Sequence, residues 1–265
     1  MVTPLRIAFV EWPEGLSTGD AQWGEMRNSV IAARPDILLT NELPFGPWLA
    51  DGATFSEDEA RHSLRAHEMG LEGLIDLALP AVISSRPVWN EKRWNGKRLA
   101  NEAFVLENGV ARPLHRKQYF PNEPGWFESE WYAGDGSGFA VSEVLGIKVG
   151  VLLCTEAMFN ERARAYGKQR VSLVVIPRAS GAEMESWKIA GAMASLVSGA
   201  YVVSSNRIGR SRGGTHFGGG GFAYAPQGRL LAVTGPANPV LTLDLDPKTA
   251  AFAQRAYPCY VPELE

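Results

Sequence analysis

The sequence predicts an α/β protein built on a mixed β-sheet. Short apolar runs alternate with longer segments of helical spacing from one end of the chain to the other. Two Asn-Gly pairs, Asn95-Gly96 and Asn108-Gly109, interrupt that alternation where tight antiparallel turns fit, because both residues tolerate positive φ. With 265 residues, 45% hydrophobic and 21% charged, the chain can bury a sizeable core.

Taken in order, residues 5–10, 37–40, 81–84, 147–153, 173–176 and 201–204 read as buried strands. Between them, residues 20–33 and 57–79 carry helical spacing. The second segment follows Ser56, with Glu59 three positions on, the pattern of a capping box. Residues 160–170 and 183–199 are further helices. The Asn-Gly turns make 81–114 an antiparallel meander, and 221–245 repeats strand–turn–strand around Pro226-Gln227-Gly228. No repeat, linker or charge run divides the chain, so a single domain over residues 1–265 is expected.

Composition removes several function classes. The 26 Lys+Arg against 29 Asp+Glu leave no basic surplus for a dedicated nucleic-acid binder. No apolar run approaches the roughly 20 residues of a membrane helix. The N-terminal residues show no secretory signal pattern, so a cytoplasmic protein is expected. Two cysteines make no disulfide framework. His62, His67, His115 and His216 are scattered, without a His-Glu-x-x-His, and neither metal nor cofactor is expected. The Gly-rich run 213–221 lacks a Lys-Ser/Thr ending and precedes a strand-like segment. It reads as a loop or as close backbone packing near a site, not as a phosphate loop.

Chemistry concentrates at strand ends. Cys154 follows the apolar run 147–153 and precedes a helical pattern, so backbone N–H groups and a helix end are expected to lower its pKa and to receive an oxyanion. Cys259, between Pro258 and Tyr260, has no such setting. Glu42 leaves the strand 37–40, where α/β proteins place ligand sites. Lys117 ends another strand-like segment; alone it would be an ordinary surface charge. His115 or His216 paired with Cys154 is a competing dyad, without matching flanks for either.

Glu42 in Glu-Leu-Pro, Lys117 in Arg-Lys-x-x-x-Pro and Cys154 behind its strand occur in that order. Pro124-Gly125-Trp126-Phe127-Glu128 and the tail Ser205-Asn206-Arg207-Ile208-Gly209 with Tyr224-Ala225-Pro226-Gln227-Gly228 accompany them. Together these resemble the nitrilase, or carbon–nitrogen hydrolase, superfamily, amidase-like branch, over nearly the whole chain. The resemblance implies a four-layer αββα sandwich of mixed sheets, packed as a homodimer or larger homo-oligomer. It implies cofactor-independent hydrolysis of a non-peptide carbon–nitrogen bond in a small amide, with a carbamoyl compound or a nitrile as rival substrates. Acyl transfer and a catalytically silent binding protein are further alternatives.

In that scheme Cys154 attacks the carbonyl, Glu42 moves the protons, and Lys117 with the Thr155 N–H meets the oxyanion. Glu128 positions the lysine, with Glu123 second. Trp126, Phe159 and Trp187, with Trp48 and Phe217, are expected to wall the acyl pocket. The sequence departs from the family at Cys154-Thr155-Glu156, where many members have Cys-x-Asp, and at Pro177-Arg178-Ala179-Ser180, where Pro-Thr/Ser-Ala is usual. The helix after Cys154 also lacks the paired arginines that hold a substrate carboxylate.

Overall fold

In the computed structural model, which describes residues 4–90, 96 and 99–263, the first strand already shows the plan. In β1 (Leu5–Pro13) Ile7 and Phe9 point to one face and Ala8 and Val10 to the other, and all four are fully buried. Successive strand side chains face opposite ways, so a strand apolar at every position must be covered on both faces.

The chain continues through α1 (Ala21–Ala33), β2 (Ile37–Leu39), a 3-10 turn (Leu49–Asp51) and α2 (Glu57–Ile75). Then come β3 (Ala81–Trp89), β4 (Leu99–Glu107), β5 (Val110–Arg116) and the one-turn α3 (Glu128–Trp131). They are followed by β6 (Ser142–Val144), β7 (Ile147–Val151), another 3-10 turn (Cys154–Met158), α4 (Asn160–Lys168), β8 (Leu173–Arg178) and α5 (Glu185–Ser198). The last elements are β9 (Tyr201–Arg210), β10 (His216–Gly218), β11 (Phe222–Tyr224), β12 (Leu230–Val233), β13 (Val240–Leu245) and α6 (Pro247–Ala253).

One run of strands is ordered β5-β4-β3-β2-β1-β13, parallel from β3 to β1 and antiparallel at both ends. The other is β6-β7-β8-β9-β11-β12, parallel from β7 to β9, with β10 on the far half of β9. Glu11, Trp12 and Pro13 of β1 pair with Asn206, Arg207 and Ile208 of β9 and tie the two together at one end.

The sheets share an inner core in which Phe9, Leu39, Ile83 and Val105 meet Val149, Val151, Val175 and Val203. Outside the first sheet, Ala8, Val10 and Leu38 pack on Trp23 and Val30 of α1 and Leu74 of α2. Outside the second, Val174, Ile176 and Val202 pack on Ala163 and Tyr166 of α4 and Ala194 of α5. The layers are therefore helix, sheet, sheet, helix, the expected αββα sandwich.

Ser56 caps α2, its Oγ accepting the Glu59 N–H at 3.4 Å, and the helix ends at Ile75, four residues before the expected 79. Asn108 and Gly109, at φ 52° and 75°, make the β4–β5 turn. The Asn95-Gly96 turn lies at Asn95 outside the described residues. Gln227 and Gly228 turn β11 into β12, but β13 leaves that ladder and pairs antiparallel with β1 in the other sheet. Among the described residues, no helix is long and apolar enough to cross a membrane.

Candidate active site

The segments after β2, β5 and β7, together with the start of α3, deliver four fully or almost fully buried polar groups: Glu42, Lys117, Cys154 and Glu128. Lys117 follows β5, its N–H fixed on Asn101 O at 2.9 Å. Its Nζ donates to Glu42 Oε1 at 2.8 Å and to Glu128 Oε2 at 2.6 Å. Glu128, the first residue of α3, thus reaches the lysine, whereas Glu123 is exposed and meets Trp126 through its backbone.

Glu42 is held from three sides. Asn101 Nδ2 donates to Glu42 Oε1 at 2.8 Å, the Glu42 N–H donates to Arg178 O at 3.1 Å, and the Arg207 guanidinium donates to the Glu42 carbonyl at 3.2 Å. The following residue, Leu43, has φ 46°, a left-handed conformation that a side chain disfavours by about 1–2 kcal/mol. Its neighbours hold it there: its N–H donates to Ser85 Oγ at 2.7 Å and its carbonyl accepts from Arg207, which is also ion-paired with Glu14.

Cys154 shows the same device, with φ 48° at the head of its 3-10 turn. Glu156 ties that turn to the lysine segment. Its Oε2 accepts the Leu153 N–H at 2.8 Å and lies 2.8 Å from His115 Nε2, while Oε1 accepts the Gln118 N–H at 2.6 Å. The acidic residue two past the cysteine therefore fixes the thiol relative to Lys117. His115 is engaged by this glutamate, and His216 is exposed on β10, so neither histidine is held as a partner of Cys154.

The electrostatics follow from burial. Desolvation opposes the charge on Lys117, but the carboxylates of Glu128 and Glu42 outweigh it and raise its pKa well above the ordinary lysine value. Burial, opposed by Lys117 and aided by the charge of Glu42, raises Glu128 to about 7. Burial first, then the charge of Glu42, pushes the Cys154 thiol up, with Lys117 pulling the other way. This corrects the expected helix-end activation. Cys154 heads a 3-10 turn, α4 starts only at Asn160, and burial together with the charge of Glu42 favours the protonated thiol.

Of the expected pocket residues, Thr155 adjoins Cys154 and is half-buried. Trp126 Nε1 donates to Ala179 O at 3.1 Å, the carbonyl that Cys154 Sγ approaches at 3.9 Å. Trp126 and Trp48 both lie edge-on to Phe217, in one apolar cluster with Ala179, Tyr132 and Phe120. Phe159 instead packs against Tyr119, with ring centroids 4.2 Å apart and the planes tilted by 39°, and Trp187 lies under Arg178 against the outer face of the second sheet.

The Gly-rich run is close backbone packing. A Cβ on Gly218 would lie 2.5 Å from Ala182 Cα, and Gly219, at φ 64°, presses on the Glu11 carboxyl. Two surface cavities of about 540 and 510 Å³ lie beside α2, both lined by His62, Arg65 and Arg212, and neither is lined by any of the four buried groups.

A family model for carbon–nitrogen hydrolases matches residues 80–255. The chain belongs to the carbon–nitrogen hydrolase family. The matched span includes Lys117, Glu128 and Cys154; Glu42 lies before it. N-carbamoylputrescine amidase of Solanum lycopersicum is 28% identical over 148 residues, 50% of this chain and 49% of that protein. An (R)-stereoselective amidase of a Pseudomonas sp. is 26% identical over 162 residues, 59% of this chain and 56% of that protein. The chain thus spans about half the length of the curated relatives it matches.

Among solved structures, a carbon–nitrogen hydrolase from Helicobacter pylori G27 superposes with TM-score 0.82 at 19% identity, covering 97% of this chain and 94% of that one. A cysteine-to-alanine variant of the amidase from Nesterenkonia sp. AN1, in complex with butyramide, gives TM-score 0.74 at 19% identity, covering 96% and 94%. These similarities establish the nitrilase-like fold. Asn101, a mid-strand residue without a distinctive flank, was not legible in the sequence, and Glu156 and Arg178 stood out there only as departures from the family pattern.

Proposed function

We propose that the protein hydrolyses a non-peptide carbon–nitrogen bond in a small amide, releasing ammonia through a Cys154 thioester. The observation that carries this reading is the buried Glu42–Lys117–Glu128 cluster, whose charges act on the Cys154 thiol. Among the described residues, Glu42 Oε2 and Glu128 Oε1 are buried without a hydrogen-bond partner. Buried polar atoms are seldom left so. Two free carboxylate acceptors suit the two N–H donors of a primary amide.

In this reading Glu42 takes the thiol proton as Sγ attacks the carbonyl carbon, and Lys117 with the Thr155 N–H stabilises the oxyanion. The intermediate collapses, nitrogen leaves as ammonia with the proton returned from Glu42, and a water activated by Glu42 then opens the thioester. The products are a carboxylic acid, ammonia and free thiol. Glu128 holds the ammonium of Lys117. The aromatic cluster of Trp48, Trp126 and Phe217 favours an apolar acyl group.

A second reading, ammonia release from an N-carbamoyl amine, draws on the similarity to N-carbamoylputrescine amidases and uses the same residues. The two part in a substrate series. Ammonia from short aliphatic and aromatic amides supports the first, and ammonia with carbon dioxide from N-carbamoyl amines supports the second. Absence of any covalent adduct at Cys154 across both series would favour a binding role instead. The assembly is proposed to be a homodimer through α5, where Ile189 and Met193 are exposed four residues apart, which sedimentation analysis can test.

A further inference from the structure

Arg178 is a buried charge near the site to which the mechanism above gives no part. It ends β8 and is fully buried. Its guanidinium lies 5.0 Å from the Trp187 ring centroid and 4.8 Å from that of Phe222. Nε donates to Ser204 Oγ at 2.7 Å, Nη1 to Ser180 Oγ at 2.9 Å and Nη2 to Gly220 O at 2.7 Å. Among the described residues no carboxylate is ion-paired with it: burial lowers its pKa to about 10, and the group acting the other way is Cys154 in its thiolate form.

A guanidinium kept out of water without a counter-ion is costly, and the same shape could be filled by an apolar residue. What the arrangement achieves is seen along the main chain. The Arg178 carbonyl accepts the Glu42 N–H, and the next carbonyl, of Ala179, meets both Trp126 Nε1 and Cys154 Sγ. Ser180 N–H then donates to Asn206 Oδ1 at 3.0 Å. The guanidinium thus pins to β9 and to the Gly-rich loop the segment that touches the base, an aromatic wall and the thiol.

We infer that Arg178 is a positioning residue for Cys154, whose buried and uncompensated guanidinium fixes the 178–180 segment against the thiol and stabilises negative charge developing on Sγ. The inference rests on the proposed role of Cys154. The titratable groups acting on that thiol from the first sheet are Glu42, Glu128 and Lys117. From the second sheet the charged groups near it are Glu156, held by His115 and the Leu153 and Gln118 N–H groups, Arg207, ion-paired with Glu14, and Arg178, whose own side-chain neighbours Ser180, Ser204, Met184, Trp187 and Phe222 are uncharged.

The test is alkylation by iodoacetamide between pH 7 and 10, with each cysteine followed by mass spectrometry. Cys259, half-buried against Leu196 and Val197 carbonyls, serves as the reference within the same molecule. Arg178→Met should slow Cys154 relative to Cys259 by about tenfold, the effect of one pKa unit on thiolate fraction. It should lower kcat by a similar factor with KM within about twofold, and Arg178→Lys should restore most of the alkylation rate. An unchanged Cys154:Cys259 ratio in a folded Arg178→Met, or equal losses in the Met and Lys variants, would overturn the inference. If Arg178→Met does not fold, Arg178→Lys decides: a ratio near wild type supports the charge, and a tenfold drop in a folded Arg178→Lys contradicts it. Wild-type enzyme that still releases ammonia after Cys154 is alkylated would instead refute the role of Cys154, leaving the Arg178 ratio readable.

Discussion

Lys117 and Arg178 are both buried cations near Cys154, yet Lys117 lies between two carboxylates and Arg178 is ion-paired with none among the described residues. The first is a dense ion cluster at strand ends of the first sheet, and its charge is held firmly on. The second sits among hydroxyls, a backbone carbonyl and aromatic rings at the end of β8, and burial works against its charge. Carboxylates beside Lys117 can take and return protons, so that side suits the chemical steps. A cation without a carboxylate keeps its field for the thiol, so the other side suits orientation.

Replacing Lys117 strikes the paired side hardest. Lys117→Met should cost about 10²–10³ in kcat through the lost oxyanion contact. It should also cost about 3–5 kcal/mol of stability, because Glu42 and Glu128 then lie buried without their counter-ion. Initial rates and urea unfolding check the two losses. Glu42→Gln keeps the side-chain shape and should lower kcat by about 10²–10⁴ while leaving urea unfolding little changed.

Smaller effects come from two buried groups that titrate in opposite senses. Glu128 moves from an ordinary 4.5 to about 7, so its contribution to stability is complete below 4.5 and is lost as pH rises through about 7. His67, buried on α2 with Nδ1 2.8 Å from Ser63 O, is lowered by burial from 6.5 to about 4. Its contribution is present above 6.5 and is lost as pH falls through about 4. Thermal unfolding from pH 4 to 8 should therefore lose its alkaline slope in Glu128→Gln and part of its acid slope in His67→Leu. Cys259→Ser, remote from both cations, should leave kcat within about twofold, and a large loss would show that the wrong thiol has been assigned.

How much of this was legible in the sequence depended on whether the signal was local. The buried strands were, because runs such as 173–176 are apolar at every position, and so was the Asn108-Gly109 turn, whose chemistry lies in two residues. The choice of sheet by β13 was not, since its alternation fits an edge of either. Glu42, Lys117 and Cys154 stood out through their flanks and order, and Glu128 through its Pro-Gly-x-x-Glu segment. Asn101 did not, because its role arises only when β4 lies beside the lysine segment. Arg178 was visible as an unusual residue after Pro177, but its lack of a carboxylate partner depends on what four other segments bring to it. The high thiol pKa was likewise hidden, because it reflects burial and neighbouring charge and not the strand-to-helix position.

The most direct measurement of the central claim is ammonia release from a series of short amides and N-carbamoyl amines, with wild type and Cys154→Ala compared at equal folded concentration. The account predicts turnover by the wild type on at least one class, a loss of about 10⁴-fold or more in Cys154→Ala, and a wild-type thioester adduct on Cys154 by intact mass. Ammonia release that persists in Cys154→Ala would contradict it.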